Sequence, residues 1–410
     1  MQSRVVSLPA RPTWFRWLAW TLILAAGAAL LAYRRPDALQ NPQVWAEDVI
    51  VFHAQAESLG WRSLFVPHAG YFHTWPRIVA LGAQAVDPLY LPRAYNYSAW
   101  LIAAAVFAAL LRVRTADGGG VGPIWAAAFL FTPHYSGEIF LAQTNVQWVL
   151  TPFLVASVLR RPPEGGGPIA LSTTAVLLAA TTTPFSVILA PLAAWAGSIR
   201  RSPGSWFVNG ALLAGALAQL LAIHFTSVPY PSQGWATWSY YLQNIGFRVG
   251  IETFVPERWW PTATGWHSFA GLVVLTLFIT LGTVAGPRRW ERAALALAIA
   301  GFLLATYVRS KPFIAEMQDA GWGDRYFFAI RLLLVWQIVC FAWRAGRRQW
   351  ALLVLLLVPL AAASRYRAGA WPDYRWADYA PALRRGEAVQ IPINPSGWIY
   401  HYAGRQDEAR

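Results

Sequence analysis

WFRWLAWTLILAAGAALLAY, residues 14–33, decides the class of fold because this apolar stretch is long enough to cross a bilayer. Similar stretches recur as far as residue 360. Across the 410 residues, the AVILMFWYC set makes up 56% and charged residues only 13%, too few to cover the surface of a soluble protein of this size. We expect an all-α polytopic membrane protein. The lipid-facing residues of a β-barrel would instead alternate with polar ones.

Eleven apolar segments are candidates for transmembrane helices. Short arginine clusters follow alternate segments, and the positive-inside rule places such clusters in the cytoplasm. We therefore predict a multi-pass protein of a bacterial inner membrane, with its amino terminus in the cytoplasm and its carboxyl terminus in the periplasm. The predicted spans are 14–33, 95–111, 121–131, 146–159, 168–180, 185–199, 207–225, 267–285, 293–307, 326–343 and 350–363.

The formal net charge of +14 would indicate nucleic acid as the partner of a soluble protein. Here the cations lie between apolar segments, so the bilayer is the expected partner and nucleic acid is not. The single cysteine, Cys340, lies within an apolar segment and can build neither a disulfide nor a thiolate metal site.

This topology separates the acidic residues. All of them except Asp117, Glu164 and Glu291 fall on the predicted outer side, which is therefore the expected side of any chemistry. We divide the chain into a membrane module, residues 1–363, and a short periplasmic tail, residues 364–410. The module has outer loops at about 34–93, 226–266 and 308–325. The tail is predicted as a small α/β unit, with a helix at 376–385 and a strand at 388–393.

The first outer loop contains two adjacent acids, Glu47 and Asp48. Apolar residues from position 45 to 59 follow helical spacing, which predicts an amphipathic helix lying on the membrane and stopping at Gly60. Both acids then fall in the first turn, where the helix dipole keeps carboxylates ionised. A second such helix is predicted from Thr74 to Val86.

This layout over residues 14–201 resembles the GT-C superfamily of integral-membrane glycosyltransferases, which use polyprenyl-phosphate sugars. The matching features are the pair Glu47-Asp48, the run His53–Gly60, the pair Pro76-Arg77 and a helix pair broken at Pro184. The resemblance implies a hexosyl- or pentosyltransferase that inverts the sugar. The acceptor at the periplasmic face would be a cell-envelope glycan, a lipid-linked saccharide or a protein.

The resemblance also implies roles for individual residues. Asp48 matches the family's acid in the first loop and would be the general base, with Glu47 as the alternative. Glu138 would be a second acid that shapes the acceptor site. Cations must hold the leaving phosphate. Arg325 is the first choice because it stands at the outer start of a helix, and the other candidates are Arg258, Lys311, Arg309 and Arg331.

The sequence leaves a metal cofactor open. His134 and Glu138 are four residues apart, and on a helix they could bind Mg²⁺ or Mn²⁺ together with Glu47 or Asp48. Some GT-C enzymes need a metal and others do not. The candidates for substrate contacts are His53, His73, His134, Trp259 and Trp260, since aromatic faces suit the C–H side of a sugar. The same residue types also populate membrane interfaces without binding a substrate.

Other interpretations stay open at this point. Glu47 and Asp48 could simply solvate a helix start, and Arg325 could be an interfacial arginine paired with Asp324. A transporter or flippase for a lipid-linked glycan would need a polar path through the helices, and the chain has few charges within its spans and no evident repeat. A ligase or polymerase that moves a whole glycan from a lipid diphosphate would concentrate its chemistry at residues 248–267. A purely structural membrane protein would not explain the one-sided carboxylates.

Overall fold

The computed structural model describes residues 13–114, 121–226, 238–284, 289–310 and 323–404, without the side chains of Arg289 and Arg344. The α-helices in these ranges are α1 (Thr13–Arg34), α2 (Asp37–Gln40), α3 (Ala54–Leu59), α4 (Thr74–Ala83), α5 (Leu91–Leu111), α6 (Gly122–Phe131), α7 (Val146–Leu159), α8 (Gly166–Thr182), α9 (Phe185–Ile199), α10 (Pro203–Phe225), α11 (Trp238–Asn244), α12 (Glu252–Phe254), α13 (Thr264–Thr283), α14 (Arg289–Ser310), α15 (Arg325–Arg344), α16 (Arg348–Ala362) and α17 (Trp376–Arg385). Two strands, β1 (Val389–Ile393) and β2 (Trp398–Tyr402), form the single sheet of the described ranges.

Seven helices in the described part of the chain are long and apolar enough to cross a membrane: α1, α5, α10, α13, α14, α15 and α16. The protein is therefore an all-α, membrane-embedded protein, as the composition indicates. The other four predicted spans coincide with shorter apolar helices, α6 to α9. That all eleven cross the bilayer, and with the orientation given above, stays a prediction.

Helix α15 lies at the centre of the bundle. Of its apolar stretch, 78% of the residues are buried, compared with 11% for α1. Its Trp336 is fully buried and stacks on Trp125 of α6, with ring centroids 4.2 Å apart. Without a hydrophobic driving force between helices in lipid, such close van der Waals packing is a main source of association. Helix α15 is thus the most buried of the seven candidate spans.

The predicted break at Pro184 is confirmed. Helix α8 ends at Thr182 and α9 begins at Phe185, with Thr183 extended between them. A residue before proline is disfavoured in the helical conformation, which accounts for this end of α8. The Ser186 hydroxyl donates to the Ala180 carbonyl at 2.9 Å across the break.

The first loop differs from the predicted surface helix. Residues Asp48–His53 form a π-helical segment, and α3 follows and ends at Gly60, whose φ of 55° makes it the predicted stop. Val49 and Phe52 are fully buried. The segment is therefore packed into the core, because other parts of the chain cover its apolar side. That it also lies on the membrane stays a prediction.

The tail is one of the parts of the chain that pack against this segment. Strands β1 and β2 pair in antiparallel register, and α17 ends at Gly386 in the left-handed region. The Trp376 indole donates to the Pro88 carbonyl at 2.7 Å, and the Ala46 amide donates to the Asn394 carbonyl at 2.7 Å. The tail and the first loop consequently share one apolar cluster, whose members include Val49, Phe52, Trp376, Leu383, Ile391, Ile393 and Tyr400.

These contacts bring the long connections together at one end of the bundle, which we call the loop face. It contains the first loop, residues 132–145, residues 245–263 and the tail. Gln143 and Thr144 contact Asp48, the Tyr135 hydroxyl donates to the Glu252 carbonyl, and Arg365 forms an ion pair with Glu257. The loop face is therefore a continuous layer over the helices.

Candidate functional site

A cavity of about 970 Å³ lies beneath the loop face, between the first loop and helices α7, α9, α10, α14 and α15. Most of its polar lining residues lie on the side of the first loop, the starts of α7 and α15 and the end of α14. These residues are Glu47, His68, Tyr71, His73, Thr144, Asn145, Gln147, Arg309 and Arg325.

The remaining lining of the cavity comes from α9, α10 and α14. It is mostly apolar, with Ile188, Ile223 and Leu304 among its members, and it also includes His224, Thr226 and Thr306. Leu304 and Val308 line the cavity and are also 63% exposed. The cavity therefore combines a charged end with a mostly apolar end, part of which is exposed on α14, a candidate span.

The two adjacent acids of the first loop have different environments. Glu47 lines the cavity, and its Oε2 atom is buried without a hydrogen-bond partner among the described residues. Asp48 is fully buried and does not line the cavity. This corrects the expectation that Asp48 is the general base, and it leaves Glu47, the alternative, as the carboxylate that lines the cavity.

Asp48 instead anchors the connection between α6 and α7. Its carboxylate accepts hydrogen bonds from the amides of Gln143 (3.2 Å) and Thr144 (2.8 Å) and from the Thr144 hydroxyl (2.7 Å). Burial raises the pKa of Asp48 to about 7, although these hydrogen bonds act in the opposite direction. The sequence predicts that a helix dipole keeps this carboxyl ionised. In the structure, burial instead favours its protonated form. The carboxyl positions Thr144 and Asn145, both of which line the cavity.

Arg325 lies at the cavity wall, at the first turn of α15, where the sequence places the phosphate ligand. Its Nη1 donates to Oε2 of Glu138 at 2.6 Å, and its side chain keeps 35% exposure. Arg325 also interacts electrostatically with Glu47. The predicted residues Glu47, Glu138 and Arg325 thus form one charged group at the polar end of the cavity.

Arg331, in contrast, does not reach the cavity. It is fully buried and forms ion pairs with Asp324 and Glu252, while Arg248 pairs with Glu252 at 3.1 Å. Two cations and two anions balance in this network, as buried charges require. The expectation that Arg331 holds a phosphate is therefore wrong in this structure, since its guanidinium is already used.

The network also fixes the start of α15. Asp324 accepts a hydrogen bond from the Tyr135 amide at 2.6 Å, and Arg331 donates to the Pro133 carbonyl at 3.0 Å. Although burial opposes ionisation of Asp324, the cations Arg331 and Arg248 hold its pKa below the ordinary value. Residues 132–135 and 324 are thereby locked together. Arg325, the next residue, projects from a rigid position.

The other predicted phosphate ligands are dispersed. Arg309 lines the cavity from the end of α14. Arg258 is exposed and lies over the ring of Trp259 at 4.7 Å, away from the cavity lining. Lys311 lies outside the described residues.

Trp259 is 63% exposed, and Trp260 packs against Tyr135 instead of facing the cavity. Neither of the two tryptophans predicted to contact sugar therefore lines the cavity.

The three histidine candidates also separate. His73 lines the cavity, is stacked on Tyr71 and is kept neutral because burial lowers its pKa well below the ordinary value. His53 contacts Gln84 and Tyr95 away from the cavity, and burial lowers its pKa to about 4. His134 accepts a hydrogen bond from the Gly137 amide at 3.0 Å, and burial lowers its pKa to about 3.

The metal arrangement considered from the sequence is not formed. Residues 132–145 are a connection without helix, so His134 and Glu138 do not share a helix face. His134 instead faces Asp324, and Glu138 faces Arg325. No group of three histidine, cysteine, aspartate or glutamate side chains in the described ranges is placed to hold a metal ion.

Several lining residues were not singled out from the sequence. Tyr71, Thr144, Asn145 and Gln147 belong to the polar wall, and the Tyr71 hydroxyl donates to Oε1 of Gln147 at 3.0 Å. The polar run at 143–147 just before an apolar span is the signal that could have identified three of them. Tyr71 has no comparable signal, because only the fold brings it next to α7.

The chemical capacity of the cavity follows from these positions. It offers one reachable carboxylate, two arginines, neutral imidazole and amide side chains, and a mostly apolar wall that is partly exposed. Comparison of the chain with family models, with curated proteins and with solved structures finds no match. The residues of the cavity are therefore the basis for proposing a function.

Proposed function

We propose that the protein is an inverting glycosyltransferase that moves a sugar from a polyprenyl-phosphate donor to an acceptor bound in this cavity. One observation carries the proposal. A single cavity joins a carboxylate and an arginine, Glu47 and Arg325, to a mostly apolar wall with exposed residues on a candidate span. In this proposal that wall opens toward lipid. A lipid phosphate sugar has the matching parts: an anionic head group, a sugar and a long apolar chain.

Glu47 is the proposed general base. An acceptor hydroxyl has a pKa far above 7, so a positioned carboxylate must accept its proton as the new glycosidic bond forms. Glu47 supports this role because it lines the cavity with an unbonded Oε2 atom, whereas Asp48 is enclosed by Gln143 and Thr144. In this proposal Asp48 is a positioning residue.

Arg325 is the proposed ligand of the leaving phosphate. As the glycosidic bond to the donor breaks, its electron pair leaves with the phosphate oxygen, and a guanidinium can hold the resulting anion with two hydrogen bonds. Glu138 holds Arg325 in place through the 2.6 Å contact. Arg309 supplies a second positive charge on the same cavity. Direct displacement by the acceptor inverts the anomeric carbon.

The loop face is the proposed periplasmic side of a bacterial inner membrane. This orientation is supported by the sequence, since the arginine clusters of the short connections lie at the other end of the predicted spans. The acceptor would then be a glycan, a lipid-linked saccharide or a protein of the cell envelope. The sugar is a hexose or a pentose.

The test is a sugar-transfer assay with purified protein in lipid nanodiscs and a panel of polyprenyl-phosphate hexoses and pentoses. We expect Glu47→Gln and Arg325→Ala each to lower the rate by at least about a hundredfold, the scale of general base and charge-stabilising groups. Glu164→Gln and Arg258→Ala are matched controls, since both residues are remote from the cavity, and they should retain full activity. Full transfer by both Glu47→Gln and Arg325→Ala would end the proposal.

A further inference from the structure

Arg77, in the first turn of α4, is a buried arginine that the proposed reaction does not use. Its side chain has no exposure, and its Nε, Nη1 and Nη2 atoms have no hydrogen-bond partner in the described part of the chain. Other fully buried arginines are bonded: Arg34 donates to two carbonyls, and Arg331 forms ion pairs with two acids. Arg77 is therefore an exception that calls for a counter-ion.

The charge of Arg77 persists at neutral pH, because burial lowers its pKa only to about 10. A buried cation without a partner is costly, so a protein rarely keeps one unless an anion binds there. The Phe52 ring, 5.3 Å from the guanidinium carbon, is the aromatic contact of Arg77 in the structure. A cation over a ring face compensates only part of the lost hydration.

Arg77 does not line the cavity, but Phe52 links it to one of the cavity walls. The Phe52 ring that it contacts also contacts the rings of His73 (5.2 Å) and His68 (5.8 Å), and both histidines line the cavity. Arg77 interacts electrostatically with both imidazoles. Because Arg77 has no exposure, an anion in the cavity reaches the guanidinium only if one of these rings moves, and the His68 ring has no hydrogen bond in the described ranges that holds it.

We propose that this wall of the cavity, lined by His68 and His73, binds a second anionic group, a carboxylate or a phosphate, when ring movement gives access to Arg77 as the counter-charge. The site is separate from the Arg325–Glu138 pair, which belongs to the starts of α15 and of the connection to α7. If the proposed transfer is correct, the donor phosphate occupies Arg325, and this second anion belongs to the acceptor. The acceptor is then an acidic molecule, such as an acidic sugar or a phospholipid-linked saccharide.

Anion binding is tested on the full chain in nanodiscs by the rise of the unfolding temperature with inorganic phosphate or with acetate, at constant ionic strength with chloride as the reference. The measurements use the Arg325→Gln background, so that any response must come from another site. We expect a saturable rise in this background. Arg77→Met in the same background should weaken the apparent affinity at least tenfold, and Arg93→Met, which changes an exposed arginine, should leave it unchanged.

The unfolding temperature without anion separates a binding arginine from a structural one. Arg77→Met removes an uncompensated buried charge, so we expect this variant to unfold at a higher temperature than the parent protein when only chloride is present. A lower temperature together with an unchanged response to phosphate and acetate would overturn the proposal. So would the absence of any anion response in the Arg325→Gln background.

A second variant guards against a failure of Arg77→Met to fold. Arg77→Lys keeps the charge but loses the planar fork that binds two oxygens, and it should bind phosphate several-fold more weakly than the parent. An unchanged phosphate affinity in Arg77→Lys would contradict the site. The comparison of phosphate with acetate identifies the anion class. These binding measurements do not depend on sugar transfer, so a failure of the transfer assay and a failure of this site remain distinguishable.

Discussion

Glu47 and Asp48 are neighbours in sequence but have different environments. Glu47 lines the cavity, whereas Asp48 is bonded to the connection that carries Gln143 and Thr144. Arg325 and Arg331 differ in the same way: six residues along α15, nearly two turns, separate the cavity wall from a buried ion-pair network. At the residue scale, the direction of each side chain decides whether its charge is available for chemistry.

Asp48 provides a pH-dependent prediction. Its pKa rises to about 7 in the folded protein from an ordinary value near 4, so the folded state binds this proton more tightly than the unfolded chain does. Its contribution to stability is therefore largest at low pH and declines as the pH rises from about 4 to about 7. We expect the unfolding temperature of the parent protein, minus that of Asp48→Asn, to fall across this window.

This measurement uses thermal unfolding in nanodiscs at several pH values. Asp87→Asn is a suitable control, because Asp87 is exposed and its ion pair with Arg384 lowers its pKa, so its stabilisation should instead weaken as the pH falls. A difference between parent and Asp48→Asn that grows with pH would show that the Thr144 hydrogen bonds outweigh burial at this site.

At the scale of elements, the loop face depends on close backbone packing. The π-helical segment Ile245–Ile251, which carries Arg248 of the ion-pair network, lies against α13. A Cβ atom on Gly246 would come within 1.7 Å of the His267 carbonyl oxygen, and one on Gly271 within 2.2 Å of the Leu242 carbonyl oxygen. Glycine is needed at both positions because backbone approaches backbone there.

We predict that Gly246→Ala destabilises the protein. The added methyl group meets backbone atoms that cannot rotate away, so the two elements must separate, at a cost of about 1–3 kcal/mol or more. Gly210→Ala is the matched control, since nothing lies within 4 Å of its Cβ position and alanine favours the helix by about 1 kcal/mol. Unfolding temperatures of the two variants should move in opposite directions, and equal values would contradict the packing.

At the scale of the whole molecule, the tail completes the core of the first loop. Helix α17 and the β1–β2 hairpin cover Val49 and Phe52. The Phe52 ring in turn contacts Arg77, His68 and His73. Residues 364–404 thus share a core with the membrane module, although their amino-acid composition differs from that of the module. The shape of the cavity wall depends on residues more than 300 positions away.

We expect Trp376→Ala to disturb both stability and the cavity. Trp376 is 5% exposed and donates to the Pro88 carbonyl, so its truncation should cost about 3–5 kcal/mol. Phosphate binding at the proposed site of His68, His73 and Arg77 should weaken in the same variant. Trp398→Ala, which removes a 43% exposed tryptophan from the same tail, should change neither quantity appreciably. Equal effects of the two substitutions, measured by thermal unfolding, would refute the shared core.

The membrane class, the positions of the apolar helices, the break at Pro184 and the charged character of the loop face could be predicted from sequence. Hydropathy, proline and charge act over short stretches and need no knowledge of the fold. Lining positions were harder to predict. Arg258, Arg331, His53, His134 and Trp260 were all predicted at the site because of their residue types, and none of them lines the cavity.

The sequence by itself determined that this chain builds apolar helices joined by one acidic, aromatic-rich set of connections, because local composition sets those properties. Only the tertiary structure decided that Glu47 reaches the cavity while Asp48 does not, and that Arg325 stays accessible while Arg331 is neutralised. It also decided that Arg77 is buried without a hydrogen-bond partner among the described residues. The reason is physical: the environment of a charge depends on atoms that the chain brings from distant positions, and burial and pairing arise only when those atoms meet.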